Sequence, residues 1–391
     1  MNFAAKAKVH NRSRVGMAKT TKKQLRAGWL QVHKWIGLTL AILIIPSSLT
    51  GAALVWHDWL EAKLEPQRHQ VFGPADLQPS AYPAAALTVL SADQRIASIK
   101  FDPGGGPVMV TATRPAKGEG ARPERTNVWL DPRDARIIDK ASASSGVVPI
   151  IHSLHGSLMW PGWGRTMVGW VGAFMLISSI SGMWLWWPLN GSFASGFRLK
   201  RRNTLNANIH YHAGFWVMVP LAMLSFTGAW ISFPKVFGAF ESRATPNQQD
   251  RAQAMRARPL AETKTSLDVA VAKAGTFATG SLTNVSWPTD RKAEWKISFD
   301  RKDGPAEVTV ADGSGEAKAP RPAQPETLAR LMRRLHDGTG MGPVWQAIIF
   351  LGGIIPAILS VTGTIIWIRS RKPRARAGVY NRNGAAPEPA E

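Results

Sequence analysis

Four apolar stretches, Trp35–Trp56, Gly164–Trp187, Gly214–Phe233 and Val344–Ile368, each run for about 20 residues without a carboxylate. Each is long enough to cross a hydrocarbon core of about 30 Å. That excludes the two or three soluble domains that 391 residues would otherwise suggest. Because the mean hydropathy of the whole chain is only −0.10, large aqueous segments must lie between the spans. The first stretch is longer than the roughly 7–15 residues of a signal-peptide core and is followed by no small-residue cleavage site, so it reads as a retained span.

The formal charge of +22 is concentrated at particular places. Lys6, Lys8, Arg12, Arg14, Lys19, Lys22, Lys23 and Arg26 precede the first span with no acid among them. Arg198, Lys200, Arg201 and Arg202 fill the link between the second and third spans, and Arg369, Arg371, Lys372, Arg374 and Arg376 follow the fourth. Between Asp58 and Trp160, by contrast, 11 basic residues are matched by 11 acidic ones. This is the positive-inside pattern of a four-span protein with both termini cytoplasmic. The charge reports topology and contact with membrane lipid, and no nucleic-acid partner is expected. Zero Cys removes disulfides, thiolate metal sites, iron–sulfur clusters and covalent haem attachment. Of 17 Trp, 14 lie in or beside the spans, as in an interfacial aromatic belt.

An internal repeat organises the chain. His33 is followed 17 residues later by Thr50-Gly51, as His210 is by Thr227-Gly228; His155 is followed 26 residues later by Ser181-Gly182, as His336 is by Thr362-Gly363. The expected fold is therefore membrane α-helical, with four spans in two repeats related by an axis along the membrane normal and two small α+β external domains. The expected divisions are a basic tail (1–24), a first span (25–60), an external domain (61–150) and a histidine segment with the second span (151–190). A basic loop (191–208), a third span (209–234), a second external domain (235–330), a histidine segment with the fourth span (331–370) and a tail (371–391) follow. In the external domains, helices are expected at Ala84–Ala92 and Ser266–Ala274. Period-2 strands are expected at Ile96–Phe101, Val108–Thr113, Asn127–Leu130, Leu282–Trp287, Glu294–Asp300 and Ala306–Val310. Met1–Thr21 and Ala377–Glu391 read as polar, aperiodic tails.

Four histidines at matched spacing carry the functional reading. His33 and His210 begin spans beside the basic segments, whereas His155 and His336 precede spans at the opposite face. The repeat axis brings His33 to His210 and His155 to His336, so each pair can offer two imidazoles to opposite sides of one metal. Haem iron with two axial histidines suits this, and the absence of carboxylates from the spans argues against a di-iron site. The Thr-Gly and Ser-Gly pairs fit either a planar ring close to the backbone or close helix packing. His152, three residues before His155, and His212, two after His210, are reserve ligands. His57, beside Asp58, is a candidate ligand or proton donor near a substrate, while His10 and His69 read as solvated.

The chain resembles the PepSY-associated transmembrane family of bacterial inner-membrane proteins. The stretches that carry the resemblance are His33-Lys34-Trp35-Ile36-Gly37-Leu38, Leu49-Thr50-Gly51-Ala52-Ala53-Leu54-Val55, Leu154-His155-Gly156, His210-Tyr211-His212-Ala213-Gly214 and Leu335-His336-Asp337-Gly338. Val128-Trp129-Leu130-Asp131-Pro132 resembles the end strand and turn of a PepSY domain; in the second copy Ala311 stands where the Asp is expected and Asp312 follows one position later. The resemblance implies two non-covalent haem b groups on His33/His210 and His155/His336, and reduction of a ferric siderophore of the ferrioxamine type at the periplasmic side. No Gly-rich dinucleotide fingerprint follows a strand, so a cytoplasmic reductase or quinol would donate the electrons. The competing expectations are a non-enzymatic protein that binds or regulates a periplasmic peptidase or senses envelope state, and a permease for iron chelates.

Overall fold

The computed structural model describes residues 3–71, 73–115, 123–187, 203–240, 257–302, 304–320 and 326–371, with side chains from residue 23 onward. Most of the expected basic loop (191–208) and nearly all of the tail (371–391) lie outside the described residues. The chain forms two compact units, one of Met1–Val55, His155–Phe233 and Met332–Glu391, the other of Trp56–Leu154 and Pro234–Leu331.

The first unit is a bundle of four helices long and apolar enough to cross a membrane, so this is a multi-pass membrane protein. They are α1 (Phe3–Val55), α5 (Gly164–Trp186), α6 (Leu205–Ser232) and α9 (Gly342–Arg371). Their candidate spans are Lys23–Val55, Gly164–Trp186, Leu205–Ser232 and Gly342–Arg371. Three of them begin earlier than the apolar pattern predicts, since residues outside an apolar run can still be helical; ahead of Trp35 these include Lys, Arg, Gln and Ala, which continue a helix as readily as Leu does. For the same reason α1 extends back to Phe3, through the segment read as an aperiodic tail.

Neighbours in the bundle run α1–α5–α6–α9 and back to α1, which sets α1 opposite α6 and α5 opposite α9. Backbones approach closely at two equivalent places. A Cβ on Gly353 would lie 2.8 Å from the Ser48 carbonyl oxygen, and one on Gly172 would lie 3.1 Å from the Ser225 carbonyl oxygen. Small residues permit such contact where lipid supplies no hydrophobic drive between helices. Charged groups tie helix ends: Arg26 donates to the Trp187 carbonyl at 2.9 Å and Arg165 to the Ile231 carbonyl at 2.6 Å.

The second unit is built on one antiparallel sheet of eight strands, which the sequence reading did not foresee. In its first segment α2 (His57–Leu64) and α3 (Ala81–Leu87) precede β1 (Arg95–Lys100), β2 (Val108–Arg114), β3 (Glu124–Leu130) and β4 (Ile137–Ser142). The chain then enters α4 (Val147–Ser157). In the second, α7 (Leu267–Gly275) precedes β5 (Ser281–Ser286), β6 (Glu294–Asp300), β7 (Ala306–Ala311) and β8 (Ala317–Lys318), and α8 (Leu328–Asp337) follows. The strand order is β4-β3-β2-β1-β5-β6-β7-β8, two meanders joined where Ser98, Ile99 and Lys100 pair with Ser286, Val285 and Asn284. Alternation buries Val108, Val110 and Ala112 of β2 and Trp295, Ile297 and Phe299 of β6. These join Tyr82 and Ala86 of α3 and Leu267, Ala270 and Ala274 of α7 in a single core. The Ser80 N–H donates to Asp268 Oδ1 at 2.9 Å, linking the starts of the two helices.

The turns after β3 and β7 share a hydrogen-bond pattern. The Asp131 N–H donates to the Arg136 carbonyl and the Ala311 N–H to the Glu316 carbonyl, both at 2.9 Å. Ala135 (φ 57) and Gly315 (φ 64) take the same left-handed position. Ala311 thus occupies the place of Asp131, while the buried Asp312 accepts from the Lys264 and Thr265 N–H groups at 3.1 and 3.2 Å. Hydrogen bonds from the Arg133 side chain outweigh burial and lower the Asp131 carboxyl to about 2. At the β4 edge, the buried Arg68 lies over the Trp129 ring at 4.0 Å and donates to Asp139 at 2.6 Å.

Candidate cofactor site of two facing histidine couples

All four repeat histidines fall in the bundle unit. His33 lies on α1 and His210 on α6, the opposite helices of the ring; their ring centroids are 6.3 Å apart with the planes at 82°. His155 ends α4, just before α5, and His336 ends α8, just before α9; their centroids are 6.1 Å apart with the planes at 33°. Two imidazoles sharing one metal at about 2 Å per metal–nitrogen bond place their ring centres roughly 6 Å apart. Both couples have that spacing.

Each imidazole is seated on a glycine of another helix. A Cβ on Gly182 would lie 3.2 Å from His33 Cε1, on Gly363 3.1 Å from His210 Cε1, on Gly51 2.8 Å from His155 Cε1, and on Gly228 3.0 Å from His336 Cε1. The Thr-Gly and Ser-Gly pairs therefore clear room for an imidazole, where the sequence reading had offered a macrocycle or helix packing. The seat always lies within the histidine's own half of the chain, among α1, α4 and α5 in one and α6, α8 and α9 in the other, whereas each couple joins the two halves.

The carbonyl one turn before each glycine fixes the tautomer. His33 Nδ1 donates to the Ser178 carbonyl at 3.0 Å, His155 Nδ1 to the Ser47 carbonyl at 2.8 Å, and His210 Nδ1 to the Leu359 carbonyl at 3.1 Å. His336 Nδ1 meets Thr227 Oγ1 at 3.0 Å. That hydroxyl donates to the Met223 carbonyl at 2.9 Å, so it accepts from the histidine. Since a carbonyl only accepts, Nδ1 carries the proton in each ring and Nε2 keeps the lone pair a metal requires. Burial, with the neighbouring His155 second, pushes the His336 imidazole down to about 4, which keeps it in the neutral form that ligates.

Among the described residues no group of three or more His, Cys, Asp or Glu is arranged to hold a metal ion. Haem iron asks the protein for only two ligands, the number that each couple would offer. The residues present fit haem on three counts: the couple spacing, the free Nε2 atoms, and spans without a carboxylate. The position of His33 and the seat of His155 at Gly51 are 18 residues apart on α1, about 27 Å along the helix. The couples thus lie near opposite ends of the spans.

The other candidates are placed elsewhere. His152 is exposed, and it is His155 that meets His336. His212 has a buried Nδ1 without a hydrogen bond among the described residues and stands edge-on to Tyr211, while His210 meets His33. His57 lies 3.2 Å from Asp58 in the other unit and joins neither couple. His69 is half-buried, with an Nε2 that has no hydrogen bond among the described residues, where a solvated ring was expected; the His10 side chain lies outside the described residues. Sequence reasoning missed the carbonyls of Ser178, Ser47 and Leu359, which leave no side-chain signature beyond their place four residues before a glycine.

No curated protein sequence is found to match this chain. The model of the PepSY-associated TM region family matches residues 30–370, spanning both histidine couples and the whole eight-stranded sheet, and the chain belongs to that family.

Proposed function

We propose that this protein is an inner-membrane haem b oxidoreductase that moves electrons across the bilayer and reduces a ferric siderophore on the periplasmic side. The observation that supports this reading most strongly is the pair of facing imidazole couples, each with the spacing of two ligands on one metal. Haem b held in this way alternates between ferric and ferrous iron and so carries one electron at a time. His33 and His210 would hold one group, His155 and His336 the other. The glycine seats and carbonyl acceptors keep all four rings in a single orientation and tautomer, so little rearrangement accompanies a change of oxidation state.

In this reading the chain is a tandem duplication of a span–domain–span unit, and its two external segments are PepSY domains sharing one sheet. Both termini and the His33/His210 end would face the cytoplasm, as the Lys and Arg clusters favour, and a reductase or quinol would deliver electrons there. One electron converts the bound Fe(III) to Fe(II), a softer ion that hard oxygen chelators hold less tightly, and the iron is released. A purely regulatory role, in which the sheet binds a peptidase, leaves the four facing imidazoles without a use.

Proteoliposomes with a ferric chelate inside and a membrane-impermeant reductant outside test the proposal. Fe(II) should form inside only when the protein is present, and His336→Ala should abolish it. Equal Fe(II) formation in protein-free vesicles, or in the variant, refutes the reading.

A further inference from the structure

The two sides of the His155/His336 end differ in chemistry. On α8 the exposed Arg333 lies one turn before His336, and its charge acts on that ring. Arg334 follows, its Nε donating to the Thr339 carbonyl at 3.3 Å. Asp337 is the acidic group that acts on the same imidazole. The equivalent helix α4, Val147–Ser157, contains no Lys, Arg, Asp or Glu. Arginines at this end run against the positive-inside distribution of the rest of the chain, so topology does not explain them.

The side that lacks charge is aromatic. After His155 the chain turns through Leu158 (φ 50) and Met159 (φ 55), both in the left-handed region, whereas the loop after His336 uses Gly338 (φ 77) and Gly340 (φ 69). Met159, four residues beyond its histidine, matches Gly340. A bulky residue is thus kept where glycine would be unstrained, a conformation that persists where the surroundings or the function require it. The loop leaves Met159, Trp160 and Trp163 at 54%, 58% and 71% exposure.

We infer that this end of the bundle receives an aromatic, multiply anionic ferric chelate of the catecholate class, with Arg333 and Arg334 facing its charge and Trp160 and Trp163 its rings. The inference rests on the proposed ferric reductase and narrows its substrate. Three singly charged hydroxamates neutralise Fe(III), whereas three doubly charged catecholates leave an excess of negative charge for arginine to meet, and their rings can stack on Trp. This departs from the ferrioxamine type that the family resemblance suggests.

Gallium(III) chelates test the binding without electron transfer, since gallium(III) is not reduced under these conditions. Calorimetric titration of the intact protein in zwitterionic nanodiscs should give gallium tris-catecholate roughly tenfold tighter binding than a neutral gallium trihydroxamate. Arg333→Gln should remove about half of that preference on a logarithmic scale, and Trp160→Ala should weaken tris-catecholate binding roughly fivefold. Equal affinities for the two chelates, or indifference to either substitution, overturn the inference. So does loss of the preference in nanodiscs containing anionic lipid, which would assign the arginines to headgroups. If the chelate binds as expected but no vesicle reduction is seen, the reductase reading fails and the binding surface stands.

Discussion

At one end of the bundle the His33 and His210 rings stand nearly perpendicular, at 82°, while at the other the His155 and His336 rings are tilted by only 33°. The glycine seat and the proton on Nδ1 are common to both couples. What differs is the element that carries the rings. His33 and His210 are set inside the long helices α1 and α6, whose backbone fixes their attitude. His155 and His336 end the short helices α4 and α8, each broken from the following span by a turn. The comparison separates two features of the sequence: the repeated His and Gly positions go with one imidazole spacing at both ends, and the helix breaks go with the difference in ring planes. If haem binds as proposed, the different ring attitudes would give the two sites different electronic properties.

The largest expected effect comes from the seats. Gly51→Ala places a methyl 2.8 Å from His155, against 3.2 Å from His33 for Gly182→Ala. Gly51→Ala should lower haem affinity at the His155/His336 couple about 100-fold and Gly182→Ala should lower it at the other couple about 10-fold, in keeping with losses of ligand-orienting groups. Haem-loss rates read at each site would check this, and equal losses at both couples from one substitution would break the comparison. Removing an acceptor is gentler. Thr227→Val deprives His336 Nδ1 of the hydroxyl at 3.0 Å and should speed haem loss from that couple a few-fold to 10-fold, leaving the His33/His210 couple unchanged.

Ring attitude is sharpened by electron paramagnetic resonance of the oxidised protein. Two low-spin ferric signals are expected, the strongly anisotropic one lost in His210→Ala and the rhombic one in His336→Ala. The smallest effect lies in the sheet. The Asp131 carboxyl sits at about 2, below its ordinary 3.8, so its stabilisation is complete above about pH 4 and is lost as pH falls through about 2. Hydrogen exchange at the Arg133 amide, which donates to Asp131 Oδ1 at 3.0 Å, should quicken over that interval. Asp131→Asn should flatten the response, and the turn at Ala311 should show no such dependence.

Much of the bundle was legible because lipid imposes a strict length and polarity on a span, and because a duplicated histidine keeps its offset from a duplicated glycine. The core strands were legible for a similar reason: β2 and β6 alternate cleanly. Strand β4, Ile137–Ser142, lacks that signal because none of its six residues is fully buried, and the two residues of β8 are too few to show a period. The joint of β1 with β5 pairs Ile99 with Val285, far apart in the chain, and nothing local encodes such a pairing. The glycines were found, but the imidazoles that lie over them were not named, since a small residue marks a close approach without saying what approaches. His152 and His155 could not be told apart by composition; the end of α4 brings only the latter to His336.

The central claim is that each couple holds one haem iron, and the haem-to-chain ratio of the purified protein, by pyridine haemochrome with a reduced-minus-oxidised spectrum, tests it most directly. The account predicts two b-type haems per chain, one in His33→Ala, one in His336→Ala and none when both substitutions are combined. A folded protein with no b-type spectrum, or a full complement in both single variants, contradicts it.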